Sequence, residues 1–526
     1  MKRASSTGLM LEVPANCATK QLALYTAVRQ AIIGGAIAPA QRLPSTRDFA
    51  RAYGISRGTA VIVYEQLQSE GYLVSRPGAG SFAASSLPDD RLFTSRAHAP
   101  HTPRAGEPEA AAGWNGFDAL SYVGREIHGS GLAPAMPRLL PLTPSVPALD
   151  EFPVSLWARL CAKHSRLLKP EQLGYAHPAG LPRLRAAVAQ HLKLTRGIDC
   201  APEQVLLTSS IRQGLLLTAR LLANPGDKVV VEDPGDPAVR LLLRGAGLDL
   251  VAMPVDAEGV RPDACATPSR PSLAYVTPSR HCGSGVAMSP ARRRALLEWA
   301  GQRGTWIFEN DTASEFRYAG HPTPALFSMS SGGGVVHAGS FDQTLFPALH
   351  IAYLVLPKSL ADVFERAHAL HGRPPTTVSQ LVLCEFMEDG HYVRHLRRMT
   401  ECYRERRSTL VAALERHFGA LVRLAEQPCG LDLAVQWTDP DAADAVEGAA
   451  RAQKIHLEPL STFEFRHPVA RGALLGFAAH GPGALQLAVA GLAKALENGR
   501  HALPRHGGFG PSVWTPAFGA PGRLPH

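Results

Sequence analysis

Two hydrophobic rhythms divide this chain, and the change between them falls near residue 140. Early on, apolar residues recur at helical spacing: Leu24, Val28, Ala31 and Ile32 share one face and predict a first helix. In the run LPSTRDFARAYG at 43–54, Ser45 followed by Asp48 is a capping-box pattern, and Gly54 can take the left-handed conformation that ends a helix. Ser56 then opens a third helix as its N-cap, with Ala60, Val63, Tyr64 and Leu67 at i, i+3, i+4 and i+7 spacing. Two short helices around a glycine-containing turn make a helix-turn-helix, which aims the N-terminus of its second helix at base edges. Segments 71–75 and 81–84 are short strands around Arg76, Pro77, Gly78, Ala79 and Gly80. The tip of that hairpin can approach a phosphate or a minor groove closely.

From Leu142 the rhythm becomes strand–helix alternation. Segments 203–208, 228–232, Leu273–Val276, 306–309 and 334–337 are apolar runs of strand length, with helical stretches such as Pro290–Arg303 between them. That order predicts an α/β body with a mostly parallel sheet covered on both faces. Chemistry in such sheets gathers at the carboxyl ends of the strands, so the residues just after each run are the candidates.

Neither rhythm is present at 85–137, where Pro, Ala, Gly, Ser and His predominate; this is expected to be a flexible linker. Residues 1–20 and 501–526 are expected to be tails, the latter disordered. The expected domains are therefore 21–84 and 138–500. Charge sharpens the division. Nine Lys and Arg against four acids in residues 1–84 contribute +5 of the chain's formal +9, as befits a module that docks on nucleic acid. Eight scattered cysteines without a Cys-x-x-Cys pair argue against a disulfide framework or a zinc site, and point to buried thiols in a reducing compartment. His281 and Cys282 lack a second pair at ligand spacing, so no metal is expected. No run of eighteen apolar residues and no signal-peptide core are present, so the expected location is the cytoplasm, on the nucleoid when bound to DNA.

The run LPSTRDFARAYGISRGTAVIVYEQLQSEGYLVSRPGAGSF at 43–82 resembles the winged helix-turn-helix of the GntR family of bacterial regulators. By that resemblance the contacts to double-stranded DNA fall on Thr46 and Arg47, on Ser56, Arg57, Gly58 and Thr59, and on Gly78 in the wing. Helix N-termini and hydroxyls suit phosphate, and the Arg57 fork suits a guanine edge. The alternative, solvated arginines on a small helical domain, is opposed by the agreement of caps, turn, stripe and wing.

Five ordered motifs in the second body are similar to fold-type I aminotransferases: LGYAHPAG at 173–180 followed by Leu184 and Arg185, EDPGDP at 232–237, YVTPS at 275–279, SEFRY at 314–318 and TLFPAL at 344–349. With the winged helix and the linker, the chain looks like the MocR subfamily. The resemblance implies a fold-type I large domain, an α+β small domain and a homodimer with two DNA-binding heads. It also implies pyridoxal phosphate (PLP) as the family's cofactor.

The resemblance breaks at the residues that would hold that cofactor. The Schiff-base lysine expected before Thr-Leu-Phe-Pro is Gln343, and the serine before it is Asp342. The run Glu-Asp-Asp-Tyr is ENDT at 309–312, so the acid under the pyridine nitrogen becomes Asn310 and the ring tyrosine becomes Thr312. Asp311 follows, but adjacent strand residues point to opposite faces. In the phosphate loop TSSIR at 208–212, Ser210 and Ile211 replace a glycine and a serine, although Arg212 adds a charge. The expected arginine after Pro-Ala-Leu is His350, the stacking aromatic is Asp236 and the histidine after Thr-Pro-Ser is Arg280.

The expected function is therefore a DNA-binding transcriptional regulator whose aminotransferase-like domain serves dimerisation and the sensing of a small-molecule effector, without transamination. The alternatives are a PLP enzyme, a regulator responding to non-covalently held PLP, and a dimerisation scaffold with no ligand. The new polar set (Asp236, Arg280, His281, Asn310, Asp342, Gln343 and His350) is either a remodelled pocket or the residue of drift. Arg212 and Arg280 in one cleft with Asp236 and Asp342 would need pairing or solvent.

Overall fold

A computed structural model describes residues 11, 19–85, 120–130 and 139–500, apart from 268, 313, 321, 322, 331, 332, 373 and 426. The tail 501–526, nearly all of the tail 1–20 and most of the expected linker lie outside the described residues. The chain forms two compact units, Met1–Gly113 and Trp114–His526.

In the first unit α1 spans Lys20–Ile33, α2 Thr46–Tyr53 and α3 Arg57–Ser69. The stripe Leu24, Val28 and Ile32 packs with Phe49, Val63, Tyr64 and Leu67 into one core. Gly54, at φ +59°, ends α2 in the left-handed conformation, which a side chain would strain. Strands β1 (Leu73–Arg76) and β2 (Gly80–Ala83) pair antiparallel as the wing. The Ser45–Asp48 pair differs in detail from a full capping box. Ser45 Oγ accepts from the Asp48 amide at 3.2 Å and donates to the Asp48 carboxylate at 2.7 Å.

The second unit is built on an eight-stranded sheet of β3 (Val205–Thr208), β4 (Lys228–Asp233), β5 (Asp249–Asp256), β6 (Gly259–Val260), β7 (Leu273–Val276), β8 (Trp306–Asn310), β9 (Val335–Ser340) and β10 (Ala352–Val355). Its order is β3-β10-β9-β8-β7-β4-β5-β6. Strands β5, β4, β7, β8 and β9 run parallel. β10 is antiparallel to both its neighbours and the short β6 is antiparallel to β5, so the sheet is mostly parallel, as expected. Successive residues of β4 enter different cores, Val229 and Val231 on one face and Val230 on the other, which is why the strand reads as an unbroken apolar run. A smaller antiparallel sheet, β11 (Val422–Leu424), β12 (Asp432–Trp437), β14 (Gly472–Gly476) and β13 (Glu458–Pro459) in that order, is backed by helices His391–Phe418, Pro440–Gln453 and Pro482–Arg500.

One stretch corrects the linker expectation. Tyr122–Gly129 is a helix capped by Ser121, packed on helix Pro237–Gly245 with Glu126 facing Arg244 at 3.3 Å. No apolar period announced it, because none of its side chains is fully buried. Among the described residues no helix is long and apolar enough to cross a membrane, and all seven described cysteines are free thiols, buried or half-buried.

Candidate functional site

In the first unit six of the seven candidate DNA contacts lie at capped helix starts, and the seventh, Gly78, is in the wing. Arg57, the first residue of α3, and Arg47, the second of α2, are exposed, while Thr46 and Thr59 are half-buried. Ser56 caps α3, accepting from the Thr59 amide at 3.0 Å, and its hydroxyl meets that of Thr59 at 2.8 Å. The cap orders the first turn of α3, and a helix N-terminus is the end that favours an anion. Gly58 is exposed beside it, and Gly78, at φ +75°, stands at the wing tip with open space around it. Two basic residues of the wing had no assigned role in the sequence. Arg76 lies over the Phe82 ring at 5.0 Å, and Arg42 bridges to Phe82 at the hairpin's base. Only strand pairing brings Arg42 there.

In the second unit the candidate cage residues cluster at the carboxyl edge of the parallel strands. Asn310 ends β8 and donates from Nδ2 to the Tyr275 hydroxyl on β7 at 2.8 Å; its Oδ1 accepts from the Thr312 amide at 3.2 Å and from the Thr312 hydroxyl. Asp311 serves a different network, bound by Arg196 Nε at 2.7 Å and by the Ser279 hydroxyl. Burial alone would raise its pKa, but the Arg196 guanidinium and its hydrogen bonds hold the carboxyl below the usual range. Glu309 is fully buried, accepting from the Leu326 and Phe327 amides and facing His337 Nδ1 at 3.0 Å; it anchors the chain rather than facing a ligand.

The loop after β3 is closed on itself. Ser209 donates its amide and hydroxyl to Gln213 Oε1 at 2.7 and 2.9 Å, and Ser210 Oγ accepts from the Gln213 amide at 3.1 Å. Ile211 begins the helix Ile211–Leu222. Arg212 reaches Asp236 at 3.8 Å, and Asp236 itself caps the next helix by accepting from the Ala238 amide at 2.8 Å. After β9, Asp342 donates its amide to Ser340 Oγ at 3.1 Å, while its Oδ1 is buried with no hydrogen-bond partner among the described residues. Burial pushes its pKa up to about 6. Gln343 is half-buried beside it; His350 is exposed at φ +51°.

Arg280, a member of the sequence's polar set, leaves this cluster. It is buried and paired with Asp432 on β12, whose carboxylate also accepts from the Ser145 amide and hydroxyl, so it joins the large sheet to the small one. Its expected companions Asp236 and Asp342 are held elsewhere. His281 Nε2 lies 2.8 Å from the Pro234 carbonyl and Nδ1 2.7 Å from Ser284 Oγ. Burial depresses its pKa to about 4, so a neutral ring protonated on Nε2 satisfies both contacts.

No lysine occurs between Lys228 and Lys358. Lys228 opens β4, paired with Asp249 at the start of β5, and Lys358 follows the end of β10, where Val355 pairs with His337 near the start of β9. Both therefore stand at the amino edge of the parallel strands. The far edge is a strand's length away, roughly 15 Å.

Residues 149–469 match the model of the aminotransferase class I and II family, and residues 20–82 that of the gntR family of bacterial regulatory proteins. The chain is 35% identical over 459 residues to the probable rhizopine catabolism regulatory protein MocR of Rhizobium meliloti, covering 87% of this chain and 90% of that one. It is 30% identical over 489 residues to the HTH-type transcriptional regulator TauR of Rhodobacter capsulatus, covering 92% and 98%. Among solved structures, the α-aminoadipate aminotransferase LysN of Thermus thermophilus superposes with a TM-score of 0.62 at 24% identity, over 73% of this chain and 96% of that one. The multiple substrate aminotransferase of Thermococcus profundus gives 0.64 at 22% identity, over 74% and 100%. At these identities the structures speak for the fold alone.

Proposed function

The chain belongs to the MocR-type regulators, GntR-family transcriptional regulators that carry an aminotransferase-like domain, and on that premise we propose that its second unit assembles and senses without transaminating. The observation that carries this reading is the place of the lysines. An imine needs a primary amine at the carboxyl edge of the sheet; the chain has Gln343 there, and Lys228 and Lys358 are at the other edge. An amide cannot form the imine. Asn310, Thr312, Ser210 and Asp236 bond to neighbouring protein groups, so the donor set does not fit covalently held PLP.

The test is the absorbance of the purified full chain between roughly 330 and 430 nm, the band of an imine cofactor, with and without added PLP. No imine band is expected. Gln343→Lys alone should restore little, because nothing beside it holds the ring or the phosphate. Adding Asn310→Asp, Thr312→Tyr, His350→Arg and Asp236→Tyr should recover binding non-additively. A yellow wild-type protein, with a lysine labelled on borohydride treatment, would overturn the proposal.

The assembly half of the reading rests on exposed apolar residues in the LGYAHPAG segment. Tyr175 is 89% and Leu173 71% exposed, and Leu370 is 84% exposed elsewhere on this unit. Leu173 and Tyr175, gathered on one segment, are consistent with an apolar interface patch. A homodimer is expected, and a stable monomer by light scattering at micromolar concentration, the order expected for an extensive interface, would contradict it.

A further inference from the structure

The wing of the first unit is more than a hairpin. Segment 40–43 runs antiparallel along β2: Leu43 donates its amide to the Ser81 carbonyl at 2.9 Å, Ala83 donates to the Gln41 carbonyl at 2.8 Å, and Arg42 stands opposite Phe82. On the other side of β2, Val74 stands opposite Phe82 and Arg76 opposite Gly80. Paired and alternate residues of a sheet share a face. Arg42, Phe82, Val74, Arg76 and Gly80 therefore lie on one side, while Leu43, Leu73 and Ala83 lie on the other, in the core of the unit.

The outer face gathers two guanidiniums and no acid. Arg76 lies over the Phe82 ring with its Cζ 5.0 Å from the centroid. Arg42 reaches along the sheet to Gly80, where a Cβ would meet its Nε at 3.3 Å and its Nη2 at 3.5 Å. Gly80, at φ +108°, thus serves the turn and also leaves room for the second guanidinium. Residues 13–47 and 71–88 contain no Asp or Glu, and among the described residues neither guanidinium meets a carboxylate.

Both arginines are exposed, and like charges gathered around one glycine repel. Such a pair is complementary to a polyanion. The tip beyond them, Pro77, Gly78 and Ala79, is small and uncharged, a thin blade with the two arginines behind it. Helix α3 ends at Ser69 and β1 begins at Leu73, so the blade follows closely on the recognition helix.

We propose that Arg42 and Arg76 together read the width of the minor groove beside the major groove that α3 enters, and select operators that carry a narrow, A·T-rich run there. A narrow minor groove concentrates negative potential and draws in arginine side chains. A tip of small residues suits a groove about 6 Å wide. The Phe82 ring and the bare Gly80 backbone hold the two guanidiniums at the wing before DNA arrives. A guanidinium sheds water more readily than an ammonium, so arginine serves here where lysine would not. The inference rests on the DNA-binding reading and adds two specificity-determining residues to it.

The test is in vitro selection of duplexes from a random library by the full chain, followed by mobility shifts on the selected site. The wild type is expected to enrich a core sequence with a run of A·T pairs beside it, and the double variant Arg42→Gln, Arg76→Gln the same core without the run. In the selected site, exchanging the run for G·C should weaken the wild type about tenfold and the double variant far less. Exchanging it for inosine·C, which lacks the guanine amino group in the minor groove, should leave the wild type nearly unchanged. Arg42→Lys should keep the salt slope and lose the A·T preference. An enriched core without an A·T run, a run retained by the double variant, or inosine·C as damaging as G·C overturns the groove reading. So does a lysine variant with full A·T preference, since a contact to backbone phosphate needs only the charge. Failure of the wild type to enrich any sequence would instead remove the DNA-binding reading itself, and the wing's role with it.

Discussion

The head and the cage both place polar side chains at the starts of helices and the ends of strands, and they use them in opposite ways. In the head, Ser45 and Ser56 satisfy the helix ends, and Arg47 and Arg57 beside them face solvent. Each capping bond is local, so the contact surface can stand open without destabilising the core. In the cage, Asn310, Ser210, Gln213 and Asp236 bond to neighbouring protein groups. Here the polar groups at the strand ends are satisfied by their neighbours rather than held toward solvent. The comparison separates frame residues from face residues within one motif: Asp311 and Glu309 belong to the frame, Asn310 and Thr312 to the face.

That separation breaks most easily at Asp311. Asp311→Ala leaves Arg196 buried without its carboxylate and should destabilise the second unit by about 3–5 kcal/mol, the cost of orphaning a buried charge. All six tryptophans lie beyond residue 113, so denaturant melts followed by their fluorescence read this unit alone. Asn310→Ala, which loses only neutral hydrogen bonds, should cost about 1 kcal/mol. Equal losses would erase the distinction.

The head is sharpened next by its arginines. Arg57→Ala should weaken operator binding by about 1–3 kcal/mol and relax base preference, whereas Arg47→Ala should act evenly across sequences and lower the salt slope by about 1. Mobility shifts unchanged in both would misplace the recognition helix. Ser56→Ala should cost about 1 kcal/mol of local stability through the lost cap, seen as faster hydrogen exchange at the first amides of α3. Full protection there would mean that the cap does not order the contact surface.

A pH slope at Asp342 tests the cage from another side. Its native pKa is raised to about 6 from the ordinary 3.8, so the native state keeps a proton that the unfolded chain has released. Wild-type stability should therefore fall as pH rises across that window and level off above it. Asp342→Asn has no such proton, so the wild type should lose ground against it between about pH 4 and 6, with a constant gap beyond pH 7. A gap that narrows instead would show that Asp342 is stabilised as a carboxylate.

Local grammar carried most of the architecture. The serine caps, Gly54, the α3 stripe, β7 and helix Pro290–Arg303 are legible in the sequence because each is written within about a dozen residues. The two-unit division and the absence of lysine between Lys228 and Lys358 need only the chain itself, since patterning and composition determine them. What the sequence by itself could not decide is who meets whom. Arg280 finds Asp432 from 152 residues away, Asn310 finds Tyr275, and Arg42 reaches the wing through strand pairing. The helix Tyr122–Gly129 and the reversed direction of β10 likewise depend on which surfaces pack together. Partners distant in sequence are selected by the burial of whole elements, and only the folded chain settles where a polar group then finds its satisfaction.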